Sequence, residues 1–299
     1  ERVVNKTRIK VSSRIAVIDI SGILMNAHEM GLLSEGEHPV AFTVEKLAAA
    51  AKDNRVKGVV LRINSPGGTV TASDTLYEEI LAFKKKTGKP VVAYFQDVAA
   101  SGGYYLSCAA DEIIAQRTSV TGSIGVIMQM ANVTGTMVKL GITTDAIKSA
   151  PFKDAGSPFR DMSPDERDVF QGMVDSFYRQ FLEVVAAGRP KLSSEQIAKL
   201  ADGRVYTSPQ ALEAGLIDRI GTLQDAVDCV KTRAKITAAH TVVYHRPLDW
   251  KPNIYAQAPN GNGPTVNLVN IDILKFWTNS PRIMYIWHPE GWIRATPPQ

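Results

Sequence analysis

Two small-residue turns carry the side chains best suited to chemistry. The first is Ala-Ala-Ser-Gly-Gly-Tyr-Tyr at Ala99 to Tyr105, where Ser101 follows a β-branched and aromatic strand pattern and opens a helix. The second, Asn-Ser-Pro-Gly-Gly at Asn64 to Gly68, lies one β/α unit upstream. A small-residue turn between strand and helix lifts one hydroxyl out of the backbone, and the helix N-terminus leaves N–H groups free for an anion. A glycine turn brings a second backbone donor close because no side chain blocks its approach. A hydroxyl nucleophile with two convergent donors is the minimum equipment for acyl transfer. Taken singly, Ser101 reads as a helix N-cap, Ser123 as a strand serine and Gly68 as a turn glycine.

Such a nucleophile needs a base. The five histidines, His28, His38, His240, His245 and His288, fall outside the strand–helix body, in loops or near the end of the chain. A Ser-His-Asp triad therefore requires one of those segments to fold over the site. The alternative is lysine. Lys148 and Lys153 sit in IKSAPFKD, between an extended segment and a helix, and spacing alone does not choose between them. An unperturbed lysine is neutral about once in 2,500 at pH 7, so a lysine base needs a water-poor pocket that lowers its pKa by roughly 3 units. Cys108 and Cys229 show neither metal spacing nor a disulfide framework, and Cys108 reads as a buried core thiol.

The elements that position these residues alternate. Strands are predicted at 14–20, 58–63, 90–95, 113–115, 121–128 and 217–220, with an extended stretch at 143–147. Helices are predicted at 44–53, 72–86, from Ser101 onward, 133–140, 164–187, 193–200, 208–214 and 223–234. Strands alternating with helices predict parallel βαβ units. Met162-Ser163-Pro164-Asp165-Glu166 supplies an N-cap, a proline at the first position and acids in the first turn of the long helix. With 299 residues, 44% hydrophobic and a net charge of +4, the chain has ample core and too little charge to argue for nucleic acid. No run reaches the roughly 18 apolar residues that span a bilayer. After about His240 the composition turns rich in Pro, Asn, Gly and Trp, which predicts an extension with one short helix near 266–277. The apolar stretch PRIMYIW, Pro281 to Trp287, is predicted to pack back on the body.

The series RIAVIDISG, GVVLRINSPGG, ASGGYYLSCAADEI, TGSIGVI, IKSAPFKDAGSPFRDMSPDER and DGRVYTSPQALEAGLID resembles the bacterial signal peptide peptidase A family from about Arg14 to Ala234. The resemblance implies an α/β, crotonase-like (Clp-protease-like) ββα superhelix with parallel sheets and flanking helices. It implies a serine protease with a Ser-Lys dyad and no metal or cofactor. Carried over by motif, Ser101 is the nucleophile, Lys153 the general base and Ser123 the serine that orients the base. The backbone N–H groups of Gly68 and Gly102 form the oxyanion hole. Implied substrates are remnant signal peptides and other unfolded, apolar peptides, bound extended along a groove.

The chain carries one set of motifs and so resembles the family's short form. That form implies a dome-like ring, expected to be an octamer, whose sites are shared between protomers. It also implies a bacterial membrane location with the catalytic domain on the extracytoplasmic side, held by an N-terminal anchor that these residues do not include. The expected organisation is an N-terminal segment at 1–13, a protease domain at 14–236 and a C-terminal extension at 237–299. Competing readings are an enoyl-CoA hydratase-type enzyme on the same fold, a catalytically idle ring scaffold or peptide-binding module, and a same-clan protease acting on membrane or phage-capsid proteins.

Overall fold

The run Arg14–Ser21 is mostly aliphatic, and Ile15, Ala16, Val17 and Ile18 are all fully buried. A strand buried on both faces belongs in the middle of a parallel sheet covered by helices on each side. The computed structural model, which describes residues 2–3, 12–26, 30–31, 34–35, 39–244 and 283–287, has that architecture. The strands are β1 (Arg2–Val3), β2 (Arg14–Ser21), β3 (Met30–Gly31), β4 (Ser34–Glu35), β5 (Val56–Ser65), β6 (Gly67–Thr69) and β7 (Val91–Ala100). They continue as β8 (Glu112–Ala115), β9 (Val120–Gly122), β10 (Ile127–Met128), β11 (Val205–Thr207), β12 (Arg219–Ile220), β13 (His240–Val243) and β14 (Ile283–Ile286). The helices are α1 (Pro39–Lys52), α2 (Val70–Thr87), α3 (Gly102–Ser107), α4 (Thr134–Lys139), α5 (Pro164–Gly188), α6 (Ser194–Leu200), α7 (Ser208–Glu213) and α8 (Leu223–Arg233).

The main sheet runs β1-β13-β2-β5-β7-β8-β12, with β9 on β7 and β11 on β9. All pairings from β13 through β12 are parallel, and so is β7 with β9. Side chains alternate between two cores. Ile15, Val17, Val60, Val92 and Ile114 meet Leu223, Val227 and Val230 of α8 on one face. Ala16, Ile18, Leu61 and Ala93 face the larger core, where α1, α2 and α3 contribute Leu47, Leu76, Ile80, Tyr104 and Tyr105. This is the expected Clp-protease-like layering of a mainly parallel sheet between helices.

β7 changes partner along its length. Val92–Phe95 pair with β8, whereas Val98–Ala100 pair with β9. That split lets the end of β7 leave the plane of the main sheet, and Ser101 stands at its tip. Asn64 fixes the neighbouring strand end, donating from Nδ2 to Asp97 (3.0 Å) and accepting from Val98 N–H (3.2 Å). The long helix α5 starts on a complete capping box between Ser163 and Glu166, as its sequence predicts.

Three expectations differ from the structure. The predicted strand at 121–128 is broken, because Gly122 (φ 88°) and Ser123 (φ 49°) take left-handed backbone and separate β9 from β10. Residues 143–147 form no strand and are exposed. His240–Val243, within the predicted extension, instead pair in parallel with Arg14–Val17 in the main sheet. The helix predicted near 266–277 lies outside the described residues.

Leu61 is fully buried at the centre of the larger core. Leu61→Ala should cost about 2–5 kcal/mol in urea unfolding, whereas Ser163→Ala, which removes only the helix cap, should cost about 1 kcal/mol.

Candidate active site

Ser101 and Ser123 leave adjacent parallel strands side by side. Ala100 of β7 pairs with Gly122 of β9, and each serine is the next residue. Both have positive φ, at 52° and 49°, and both are buried. Ser101 N–H donates to Gly122 O (2.7 Å), and Ser123 N–H donates to Arg204 O (2.7 Å). These bonds hold two non-glycine residues in backbone that L side chains rarely adopt. The Ser101 hydroxyl makes no capping bond to α3, so the N-cap reading of this serine does not apply.

The glycine turn approaches the same point. Leu24 N–H donates to Gly67 O (2.9 Å), and Thr69 N–H donates to Leu24 O (2.8 Å). Backbone groups alternate along a strand, so Gly68 N–H faces the opposite edge of β6. A side chain on Gly68 would overlap Leu24, which is why a glycine is needed there. A Cβ on Gly67 would lie 2.6 Å from Gly102 N, so the two glycine turns meet. Gly102 opens α3, where the first N–H groups have no partner within the helix.

A strand already lies in the cleft between these turns and the chain that follows Ser123. β14 pairs antiparallel with β6 on one side and with β10 on the other. Tyr285 is opposite Gly68, and Trp287 N–H donates to Pro66 O (2.8 Å). The alternation of an antiparallel ladder makes Tyr285 and Gly68 the next hydrogen-bonded pair. The Tyr285 carbonyl therefore faces Gly68 N–H, and it lies 3.1 Å from where a Gly102 Cβ would stand. The Tyr285 side chain is fully buried, stacked on Tyr105 (centroids 5.0 Å) and packed on Phe181 (4.7 Å). Ile283 to Trp287, the described part of PRIMYIW, thus packs back on the body as expected. The aromatic pocket formed with Phe181 was not read from sequence; the apolar run was the signal.

The two candidate lysines differ in their surroundings. Lys148 Nζ pairs with Asp154 Oδ1 at 2.7 Å. Arg160 reaches Asp154 Oδ2 (2.9 Å) and Glu166 Oε2 (2.9 Å), tying the loop to the start of α5. Arg160 and then Lys148 hold the Asp154 carboxyl well below the usual range, while Arg160 and Ser163 N–H hold Glu166 at about 2. This clamp is ionised throughout the pH range in which a lysine base works. Lys153 sits in a single 3₁₀ turn (Pro151–Asp154), exposed, with no carboxylate partner among the described residues. Within the one chain, the Lys153 ammonium makes no hydrogen bond to Ser101 or Ser123.

Other groups at the site have different roles. Burial and the hydrogen bond to Asp74 push the Tyr105 phenol far up, and burial pushes the Cys108 thiol up to about 12. Both stay protonated at neutral pH, so neither is a base or nucleophile there. His240 starts β13, and the other four histidines lie outside the described residues. Among the described residues no cluster of His, Cys, Asp and Glu could hold a metal ion, and no helix is long and apolar enough to cross a membrane.

Residues 83–237 match the model of peptidase family S49, and residues 12–150 match that of the Clp protease family. "Putative signal peptide peptidase SppA" of Enterococcus faecium is 38% identical over 78% of this chain and 67% of its own length. Protease 4 of Haemophilus influenzae is 35% identical over 73% of this chain and 34% of its own. The chloroplastic serine protease SPPA of Arabidopsis thaliana is 34% identical over 64% of this chain and 28% of its own. A chain whose buried serine stands on a strand-to-helix turn, beside two converging glycine turns, thus also matches S49 over more than half its length: it belongs to peptidase family S49 and is a serine protease.

Proposed function

We propose that this protease works with a Ser-Lys dyad, Ser101 as nucleophile and Lys153 as base, on extended apolar peptides that include remnant signal peptides at the membrane. The observation that carries this reading is the pairing of Ser101 with Ser123 at the tips of β7 and β9. It provides a nucleophile and, next to it, a hydroxyl able to accept from or donate to an incoming amine. Neutral Lys153 takes the Ser101 proton as the hydroxyl attacks the peptide carbonyl. Gly68 and Gly102 N–H groups stabilise the oxyanion. The lysine returns the proton to the leaving amine and then activates the deacylating water. Lys148 suits the role less well, because its amine is already engaged by the Asp154 carboxylate.

Lys153 reaches Ser101 from a neighbouring copy in this reading. Ser101 is buried whereas Lys153 is exposed, and the segment around Lys153 presents Val138 (71% exposed), Leu140, Ile147, Phe152 and Phe159 to solvent. A single-chain surface rarely carries so many exposed apolar residues unless another surface covers them. The kinship with Clp proteases and the Clp-like layering support a ring of copies, and the relatives named SppA support a membrane location. Docking in such an interface also removes water from the amine, which is what a lysine base requires.

The test is hydrolysis of a fluorogenic apolar peptide by the assembled protein. Ser101→Ala and Lys153→Ala should each lower kcat/KM at least about 1,000-fold, while Lys148→Ala should keep most of the activity. Mixing the two inactive variants in equal amounts after subunit exchange should restore about a quarter of the sites; no recovery would place both residues in one chain.

The pH profile gives a second check. A base that must be neutral makes kcat/KM rise with pH and level off above the lysine pKa. Lys153→Arg should be inactive at every pH, because a guanidinium does not lose its proton. A profile that levels off near pH 6.5 would indicate histidine instead.

A further inference from the structure

Resting on the oxyanion-hole reading above, we infer that the Ser65 hydroxyl is the group that aims the Gly68 N–H into the cleft, which makes Ser65 a positioning residue for the reaction. Ser65 ends β5 and is fully buried. Its Oγ donates to Gly22 O (2.7 Å) and accepts from Gly67 N–H (3.1 Å). The single hydroxyl proton is thus committed to the residue that follows β2, and a lone pair to the glycine turn. Ser65 O also lies 2.8 Å from where a Gly103 Cβ would stand, so the same residue seats the start of α3. Both segments that supply an oxyanion donor therefore rest on Ser65.

The bond matters because of the peptide it holds. The Pro66–Gly67 peptide turns its N–H toward Ser65 and its C=O toward the cleft, where Pro66 O accepts from Trp287 N–H (2.8 Å). The next peptide is reversed: Gly67 O accepts from Leu24 N–H, and Gly68 N–H faces the cleft. The two peptides pivot about Gly67, whose φ is 101°. Glycine takes either sign of φ, so the backbone by itself does not choose this orientation over its flipped alternative. A flipped Pro66–Gly67 peptide would turn Pro66 O toward Ser65 and Gly67 N–H toward the cleft. With its proton on Gly22 O, the Ser65 hydroxyl presents only a lone pair to the turn, so it accepts the N–H and repels a carbonyl. Removing the hydroxyl strips a buried donor of this acceptor, and the flip is the route that relieves it. The same flip swings Gly67 and carries Gly68 N–H off its aim.

The experiment uses the full, assembled chain and compares Ser65→Ala with Ser208→Ala. Ser208 is also fully buried and its hydroxyl also donates to a backbone carbonyl (Gln116 O, 2.6 Å), but it belongs to α7. On a fluorogenic apolar peptide, Ser65→Ala should lower kcat about 10–100-fold and leave KM within about 3-fold, because losing a whole oxyanion donor costs about 100–1,000-fold. Ser208→Ala should keep its kcat. A peptide trifluoromethyl ketone reads the hole directly, since its hemiketal with Ser101 places an anionic oxygen there. Its Ki should rise by the factor by which kcat/KM falls, while binding of the matching peptide alcohol, which forms no hemiketal, stays unchanged. Wild-type kcat and wild-type ketone Ki in Ser65→Ala would overturn the proposal, and so would an equal loss in Ser208→Ala. Ser65→Cys, which fills the site with a much weaker hydrogen-bonding group, should show the same pattern and serves if the alanine variant unfolds; wild-type behaviour there would also overturn it. A wild-type enzyme that cleaves the peptide yet shows no hemiketal by fluorine NMR would instead remove the oxyanion-hole reading, and this assignment with it.

Discussion

The site depends on one constraint: two parallel strands that end in register at Ala100 and Gly122, each followed by a serine in left-handed backbone. Such a conformation costs about 1–3 kcal/mol per residue and persists only where the surroundings enforce it. Here the enforcement is visible. Thr121 Oγ1 donates to Ala99 O (2.6 Å), Ser101 N–H to Gly122 O and Ser123 N–H to Arg204 O. On the other side α3 is anchored by two buried tyrosines, Tyr104 bonded to Leu216 O and Tyr105 to Asp74. The main sheet and its helices hold these few residues where relaxation would return the hydroxyl to an ordinary turn.

Around that point the chain brings together parts with opposite solvent needs. Ser101, the two glycine turns and the aromatic pocket are buried in the body of the protein. Lys153, the proposed base, sits on an exposed arm whose shape comes from charge, with Arg160 bridging Asp154 and Glu166. A compact arm fixed by ion pairs loses little conformational freedom when it enters a partner surface. In the proposed reading, this division keeps the Lys153 amine in solvent until a partner surface covers it.

Much of this was legible in the sequence because the residue types are restrictive. Glycine is required at Gly68 by close backbone approach and at Gly102 by the Ser73 side chain, and a serine between alanine and two glycines at the end of an aliphatic run has few structural alternatives. The parallel layers followed from aliphatic strands alternating with helices. What escaped depended on distant partners. TGSIGVIM reads as one strand until Arg204 and Tyr206, some 80 residues on, are seen to pair around Gly122. His240–Val243 is too short to signal a strand without β2 beside it. Lys148 and Lys153 are equivalent by spacing, and only the fold shows that Asp154 engages the first.

The position of β14 also bears on the state of the chain before any peptide arrives. β6 and β10 are short strands that, among the described residues, meet no other partner on their cleft sides, and between them they present rows of backbone N–H and C=O groups with the geometry of a sheet edge. Bare edges of that kind recruit any extended chain, including another copy's. A cleft built to add a strand is, by the same chemistry, a nucleus for aggregation. By closing both edges at once, Ile283–Ile286 keeps these two rows of backbone groups from presenting a sticky surface.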